Sequence, residues 1–394
     1  MALIEIYLSH GWTVTFACPS KESEHSEKLS QMGVAVRTVQ PNDPAFDSWI
    51  SELLPDYVIF DRFVTEEQFG WRVQEHSPES VRVLDTIDLH FLRRGRMDAL
   101  KAGASLEAIA TAAIELDTED SLREIASVYR CDLTLMISDF ELQLLVTRFQ
   151  VPASLLELNR FAYSAEKFQS FVNLGDPSEK KNFVMIGNFR HPPNKDAVFW
   201  MHQEIWPLIR KALPAAEVHI YGAYPSKDVM QLDNPKTGFR VKGWATDQFE
   251  TLRAYRINLA PLRYGAGIKG KIGDAWLVGT PVITTPIGAE GMTDSAHFPG
   301  VISQSAKDLA DAAIQLYANF ELLSIHANAG RELIQKLYDL KTNGDRLVEI
   351  FECLRSDLLN RRRKNLIGRM LLHHQHKSTK YFSRWIELKN SKPL

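Results

Sequence analysis

The chain has 394 residues, 45% of them apolar and 24% charged, which is long enough for two ordinary cores and polar enough for a soluble protein. Its longest apolar runs, such as Leu133-Thr134-Leu135-Met136-Ile137, are strand-length and exclude a transmembrane helix. Met1 to Ile6 lacks the basic leader and small-residue cleavage site of a secretory signal. The formal charge of −3 is small, no nucleic-acid partner is expected, and Cys18, Cys131 and Cys353 lie far apart without metal-ligand spacing, which fits a reducing, cytoplasmic compartment.

Along the first half, residues 3 to 10 read as the end of a helix with Gly11 as its C-cap. Strands follow near Thr13-Val14-Thr15-Phe16, Val34-Ala35-Val36-Arg37, Tyr57-Val58-Ile59-Phe60, Val81-Arg82-Val83-Leu84 and Leu133 to Ile137, with a helix from about Ser121 to Tyr129. The Ala-rich stretch from Gly95 to Asp120 reads as an inserted helix or mobile excursion. An α/β domain of this rhythm opens with a central strand, so the expectation is a first strand upstream of Met1 and, in the chain as given, two interior edges left unpaired or closed on each other. Val83-Leu84-Asp85-Thr86-Ile87-Asp88-Leu89-His90 follows a strand directly, where α/β sheets bind ligands, and Asp88 with His90 suits sugar hydroxyls and proton traffic. A lone His is more often structural. Ser138 and Glu141 form the N-cap and N3 of a capping box.

The polar stretch Gly175 to Asn182 separates residues 1–174 from a second α/β domain at 183–345, followed by a helix and basic tail at 346–394. This second domain alternates strands at Phe183 to Ile186, Val218 to Tyr221, Ile257 to Ala260 and Pro281 to Thr284 with helices near 196–213, 247–255 and 268–278. Its densest constellation runs Ala260-Pro261-Leu262-Arg263-Tyr264-Gly265-Ala266-Gly267-Ile268-Lys269-Gly270-Lys271-Ile272-Gly273-Asp274 and continues to Ile287-Gly288-Ala289-Glu290-Gly291. A strand ends, Gly265 and Gly267 let backbone approach a ligand, and a helix opens with two lysines: the chemistry of a polyanion site. Free N–H groups would hold a diphosphate, Arg263, Lys269 and Lys271 would add charge, and Asp274 would accept from a ribose hydroxyl. The bland alternative is a surface helix with Lys271 and Asp274 as an i,i+3 pair.

From Arg355 onward 11 Lys and Arg face only Asp357 and Glu387, a tail of +9 that leaves −12 on the rest. Such a tail is either drawn to an anionic membrane at its inner face or is a solvated, partly disordered terminus. His373, His374 and His376 crowd together there without a carboxylate or Cys partner, and no metal site is expected.

With Ile186-Gly187-Asn188-Phe189-Arg190-His191-Pro192-Pro193-Asn194-Lys195-Asp196-Ala197, Glu204-Ile205-Trp206-Pro207, Ile220-Tyr221-Gly222 and Val241-Lys242-Gly243-Trp244, the glycine-lysine stretch resembles glycosyltransferase family 4 over roughly residues 183 to 294. The resemblance implies an α/β GT-B fold of two Rossmann-like domains facing across a cleft. It implies a nucleoside diphosphate sugar bound by the C-terminal domain through Gly187, Asn188, Arg263, Gly267, Lys269, Lys271, Asp274 and Glu290. It further implies sugar transfer with retention to a glycan or lipid-linked acceptor, no cofactor beyond the donor, and His90 as the histidine that contacts the transferred sugar. Two departures stand out. Of the family's two glutamates eight positions apart, the first is Ala266 and the second is the shorter Asp274, and Asn188 stands where an arginine is usual. A sugar-nucleotide epimerase of the same fold, or a truncated non-catalytic nucleotide-binding protein, are the rival expectations.

Overall fold

Twelve short strands alternate with helices in the computed structural model, which describes residues 2–20, 24–176 and 178–390. The strands are β1 (Thr15–Cys18), β2 (Ala35–Thr38), β3 (Tyr57–Asp61), β4 (Val81–Asp85), β5 (Leu133–Met136), β6 (Leu156–Leu158), β7 (Lys181–Ile186), β8 (Val218–Tyr221), β9 (Phe239–Gly243), β10 (Tyr255–Ala260), β11 (Val282–Thr284) and β12 (Gly300–Ile302). Every pairing between them is parallel. The nine strands read from sequence are all present within about two residues. The additional strands β6, β9 and β12 are edge strands too short or too polar for a periodic signal.

The chain folds into two compact units that are not linear halves. One comprises the residues up to Ile87, Asp117–Asn159 and those from Leu340 onward; the other comprises Asp88–Leu116 and Arg160–Asp339. The segment expected as an inserted helix or excursion is two helices, His90–Lys101 and Leu106–Ala110, that belong to the second unit.

In the first unit β1 and β2 form one sheet and β3-β4-β5-β6 another, so the described strands do not close into a single sheet. The two central strands of the four-stranded sheet are buried: β4 and β5 contribute Val81, Val83, Leu133 and Leu135 to a core completed by Ile6, Tyr7, Leu347 and Phe351. An aromatic stack ties these pieces together, with Trp12 4.8 Å from Tyr57 and Tyr57 5.2 Å from Phe351 between ring centres. Such pairs contribute about 0.5–1.5 kcal/mol each beyond their burial. The basic tail is helical as far as Asn390: Leu340–Ser356, Leu358–Lys364 and the 25-residue helix Leu366–Asn390. The disordered-terminus reading is therefore corrected. Charge alone says nothing against a helix when its other face has apolar surface to cover. No helix among the described residues is long and apolar enough to cross a membrane.

The second unit has the strand order β12-β11-β10-β7-β8-β9. Read from β7 outward, the chain runs to β8 and β9 on one side and then returns to β10, β11 and β12 on the other, so the order reverses between β7 and β10. In doubly wound sheets the crevice outside the carboxyl ends of the strands at such a reversal is where ligands bind. β10 is buried at all six residues, as the central position requires. The helix expected from 196 to 213 is interrupted: α-helix Pro192–Trp200, a π-turn Met201–Ile205, then α-helix Trp206–Ala212. Pro207 explains the interruption, because it has no N–H to donate and its ring crowds the preceding turn.

Amide hydrogen exchange should rank the sheets. β1 and β2, a two-stranded sheet without a fully buried residue, should exchange first, and β4, β5, β7 and β10 last. Equal protection of β1 and β10 would contradict this ranking.

Candidate functional site

At the carboxyl end of β7 the chain turns through Gly187, whose N–H donates to Tyr221 O at 3.0 Å. A side chain at Gly187 would meet Asn194 Cγ at 2.8 Å and Lys271 Nζ at 3.1 Å, and a side chain at Gly222 would run into the Gly187 carbonyl. Glycine at the ends of adjacent strands thus leaves backbone and lysine in direct apposition. Asn194, in the helix that follows, is clamped between the two: its Nδ2 donates to Asn188 O at 2.9 Å and its Oδ1 accepts from Lys271 Nζ at 2.5 Å. Asn188 caps its own turn, its Oδ1 accepting from Arg190 N at 2.9 Å.

At the end of β10 the glycine turn leads into the helix Gly270–Leu277, with Lys269 at its N-cap. Gly267 has φ +64°, the left-handed conformation in which glycine carries no steric penalty. Buried Lys269 donates through Nζ to the carbonyls of Gly267 and Ala266. Burial, and then the like charge of Lys269, lower the Lys271 ammonium to a pKa of about 7. His191 lies in the same field. Burial first, then the Arg93 guanidinium and the ammoniums of Lys271 and Lys269, hold its imidazole down at about 4 against the opposing pull of Asp88. It is neutral at physiological pH. Backbone N–H groups of the first helical turn, two lysines and a neutral imidazole therefore converge where the strand order reverses.

The remaining residues singled out from sequence are placed as follows. Asp88 is buried, pairs with Arg93 and lies 3.4 Å from His90 Nε2, so His90 and Asp88 do meet. Arg263 is engaged elsewhere: its Nε and Nη2 donate to the two carboxylate oxygens of Asp196 at 2.9 and 2.5 Å, a bidentate pair that neutralises its charge. Asp274 and Lys271 do not form the i,i+3 surface pair. Asp274 accepts from Tyr163 Oη at 2.8 Å and Gln248 Nε2 at 3.2 Å, and burial raises its pKa to about 6 although Tyr163 and then Lys167 oppose the shift. Gly273 lets Phe161 and Tyr163 pack there, since a side chain would meet both within 3 Å.

Glu290 is gripped by Arg96, Nη1 to Oε1 at 2.9 Å and Nη2 to Oε2 at 2.5 Å, and Arg96 is fully buried. The same guanidinium donates to Gly265 O at 2.8 Å, Ile109 O at 3.0 Å and Ala110 O at 3.1 Å, pinning the 88–116 segment to the glycine turn. Sequence reasoning passed over Arg93, Arg96, Asn194 and Tyr163. Asn194 and His191 lie in the quoted Gly187 motif, whereas nothing local marks Arg96. Ser138 caps its helix by accepting from Glu141 N at 3.4 Å. The side chains of His374 and His376 lie outside those described, and among the described residues no group of three or more His, Cys, Asp or Glu side chains is placed to hold a metal ion.

Residues 180–319 match the family model for glycosyl transferases group 1. No curated protein sequence matches the chain. Among solved structures, a glycosyltransferase from Rickettsia africae is similar at 12% identity and TM-score 0.64, over 89% of this chain and 93% of that one. The Anabaena protein HepE in complex with UDP and glucose is similar at 12% identity and TM-score 0.64, over 89% and 95%. Sucrose-phosphate synthase from Thermosynechococcus elongatus is similar at 15% identity and TM-score 0.63, over 90% and 92%. The fold is the α/β GT-B fold with parallel sheets, and the glycine turn after β10 lies within the matched segment.

Removing Arg96 tests what holds the site together. Arg96→Met strands Glu290 as a buried charge, which costs about 3–5 kcal/mol, and the melting transition of the second unit should fall by roughly 10 °C. Adding Glu290→Gln should recover much of that loss in a thermal melt. A double variant as unstable as the single one would show that packing, not charge pairing, is what Arg96 supplies.

Proposed function

We propose that this chain, whose residues 180–319 carry the group 1 glycosyltransferase pattern, is a retaining glycosyltransferase that moves a hexose-type sugar from a nucleoside diphosphate sugar to a hydroxyl of a glycan or lipid-linked acceptor. The observation that carries the reading is the convergence of Lys269, Lys271, the Gly187 backbone and the first turn of the helix Gly270–Leu277 at the reversal of strand order. A diphosphate laid there meets donors already oriented, and no water needs to reorganise as charge develops on the leaving group. HepE, a protein of the same fold, was solved with UDP and glucose, which makes a uridine diphosphate sugar the first donor to try.

Roles follow from the partners that each side chain keeps. Lys271 is bonded to a neutral amide and carries its charge once the diphosphate is bound, with Lys269 beside it at the helix cap. Asn188 and Gly187 line the same crevice through backbone. Arg263, matched by Asp196, supports the loop and leaves the direct phosphate contact to the lysines. Asp274 offers the ribose the carboxylate lone pairs that Tyr163 and Gln248 leave open. Glu290 positions the glycine turn through Arg96. His90, held beside Asp88, is the candidate contact to the transferred sugar, and no protein nucleophile is assigned. Donor turnover in the presence of candidate acceptors tests the reading. Ala266, in the place of the family's first glutamate, favours one rival: a protein that binds nucleotide without transferring sugar. Binding with no turnover of any donor would select that rival.

Lys269→Ala should lower UDP-glucose affinity about 10-fold or more in calorimetry, the loss of a charge-assisted bond. Unchanged affinity would remove Lys269 from the site.

The lowered Lys271 pKa predicts a pH dependence. Below about 7 the ammonium is charged in the free protein and binds the diphosphate directly; above it the neutral amine must take up a proton as ligand binds. UDP-glucose has no phosphate group that titrates near neutrality. Its affinity should therefore fall by up to about 10-fold per pH unit above 7, with proton uptake visible as a buffer-dependent heat. Lys271→Met should weaken binding at pH 6 and flatten the slope. A flat wild-type profile would take Lys271 off the diphosphate.

A further inference from the structure

The helix Leu366–Asn390 presents two differently occupied faces. One is fastened to the first unit. Asn365, just before its start, donates to Tyr129 O at 2.8 Å and accepts from Gly368 N at 2.9 Å, and a side chain at Gly368 would collide with the Tyr129 carbonyl. Further along, buried Ser383 donates to Asn42 Oδ1 at 2.5 Å, Glu387 pairs with the fully buried Arg72, and Glu75 accepts from Lys380 and Arg384 at 2.5 and 3.2 Å. These contacts set the rotation of the helix about its axis.

The opposite face is apolar and points outward. Leu366, Met370, Tyr381, Phe382, Trp385 and Leu388 are each 56–66% exposed. Leu366, Met370, Tyr381, Trp385 and Leu388 succeed one another at steps of four, eleven, four and three residues, which at 3.6 residues per turn return to one side of the helix. Phe382 and Trp385 stack at 6.0 Å, and Lys389 Nζ sits 5.4 Å over the Trp385 ring. Arg369 and Lys389 are exposed on the same helix, and the exposed Arg363 and Lys364 end the preceding helix three and two residues before Leu366. Single exposed apolar residues need no explanation, but a row of five, two of them aromatic and with Phe382 stacked at its edge, on a helix whose other face is already committed does.

We propose that this face is an in-plane membrane anchor: the helix lies at the surface of an anionic bilayer, with Tyr381, Phe382, Trp385 and Leu388 in the headgroup and upper acyl region and the basic side chains on the lipid phosphates. Charge complementarity selects this occupant. A protein partner would have to supply both an apolar groove and acidic rims, whereas an anionic leaflet supplies both along the full length of the stripe. Aromatic rings with one wet end are suited to that depth. The attachment differs from a loose basic tail. The helix is fixed to the first unit by Arg72, Glu75 and Tyr129, so the bilayer holds a folded domain in a set orientation, and apolar insertion as well as charge carries the binding.

Co-sedimentation of the full chain with phosphatidylcholine vesicles, with and without phosphatidylglycerol, is the test. The wild type should pellet with the anionic vesicles, weakly with the zwitterionic ones, and keep part of its binding as salt is raised, because apolar insertion is not screened. Trp385→Ser with Leu388→Ser should lower the affinity by about 10-fold or more, and Arg363→Glu with Lys389→Glu by about 10-fold at low salt. All four positions are exposed, so both variants should keep the wild-type melting temperature and wild-type UDP-glucose affinity. The proposal is overturned by absence of pelleting with anionic vesicles, or by equal binding of the wild type and the Trp385→Ser/Leu388→Ser variant. A wild-type dimer in light scattering that this variant converts to monomer would overturn it in favour of a second copy on the same face.

Discussion

A guanidinium that has lost all its water must find its full complement of acceptors in the protein, and Arg96 does so with Glu290 and three backbone carbonyls. That requirement organises the second unit around the glycine turn. Gly265 is held by its carbonyl and Glu290 by its carboxylate, and the Asp88–Leu116 segment, which carries Asp88 and His90, is brought in with them. Neither partner tolerates separation: each alone would be an unpaired charge in an apolar interior. A residue of the 88–116 segment thereby governs the loop that leads from β10 into the helix Gly270–Leu277.

Within that frame the electrostatics of the crevice are unbalanced in one direction. Arg263 is matched by Asp196 and Arg93 by Asp88, so those cations are neutralised in place. Lys271, by contrast, is half-buried against a neutral amide, and its ammonium pKa falls to about 7. His191 has been driven to its neutral form by the same neighbours. A protein that keeps a lysine in such a place carries a standing electrostatic cost.

The first unit shows a different economy. Its helices bury one face against the four-stranded sheet or against each other through ion pairs such as Arg72 with Asp47 and Glu387 and Arg362 with Asp132, while the final helix leaves a hydrophobic stripe to the outside. Fixing one side of that helix with buried polar contacts fixes which residues face away. Surface chemistry and internal packing of the helix are consequently a single constraint.

What the sequence by itself determined is local. Alternation of β-branched runs with amphipathic stretches located nine strands, and Gly187, Gly267, Lys269 and Lys271 stood out as a glycine and lysine constellation at strand ends, because backbone permissiveness and strand periodicity are properties of a few adjacent residues, whereas the interruption before Pro207 lay inside what reads as one continuous helix. The tertiary structure alone decided which charges remain available. Arg263 meets a carboxylate 67 positions away, Asp274 a tyrosine 111 positions away, and Glu290 an arginine 194 positions away. It likewise assigned residues 88–116 to the second unit and left β1 and β2 as a sheet apart from β3 to β6. A charged side chain reads the same in sequence whether it is paired or waiting for a ligand. Only the packing that brings distant segments together, and removes water between them, separates the two cases.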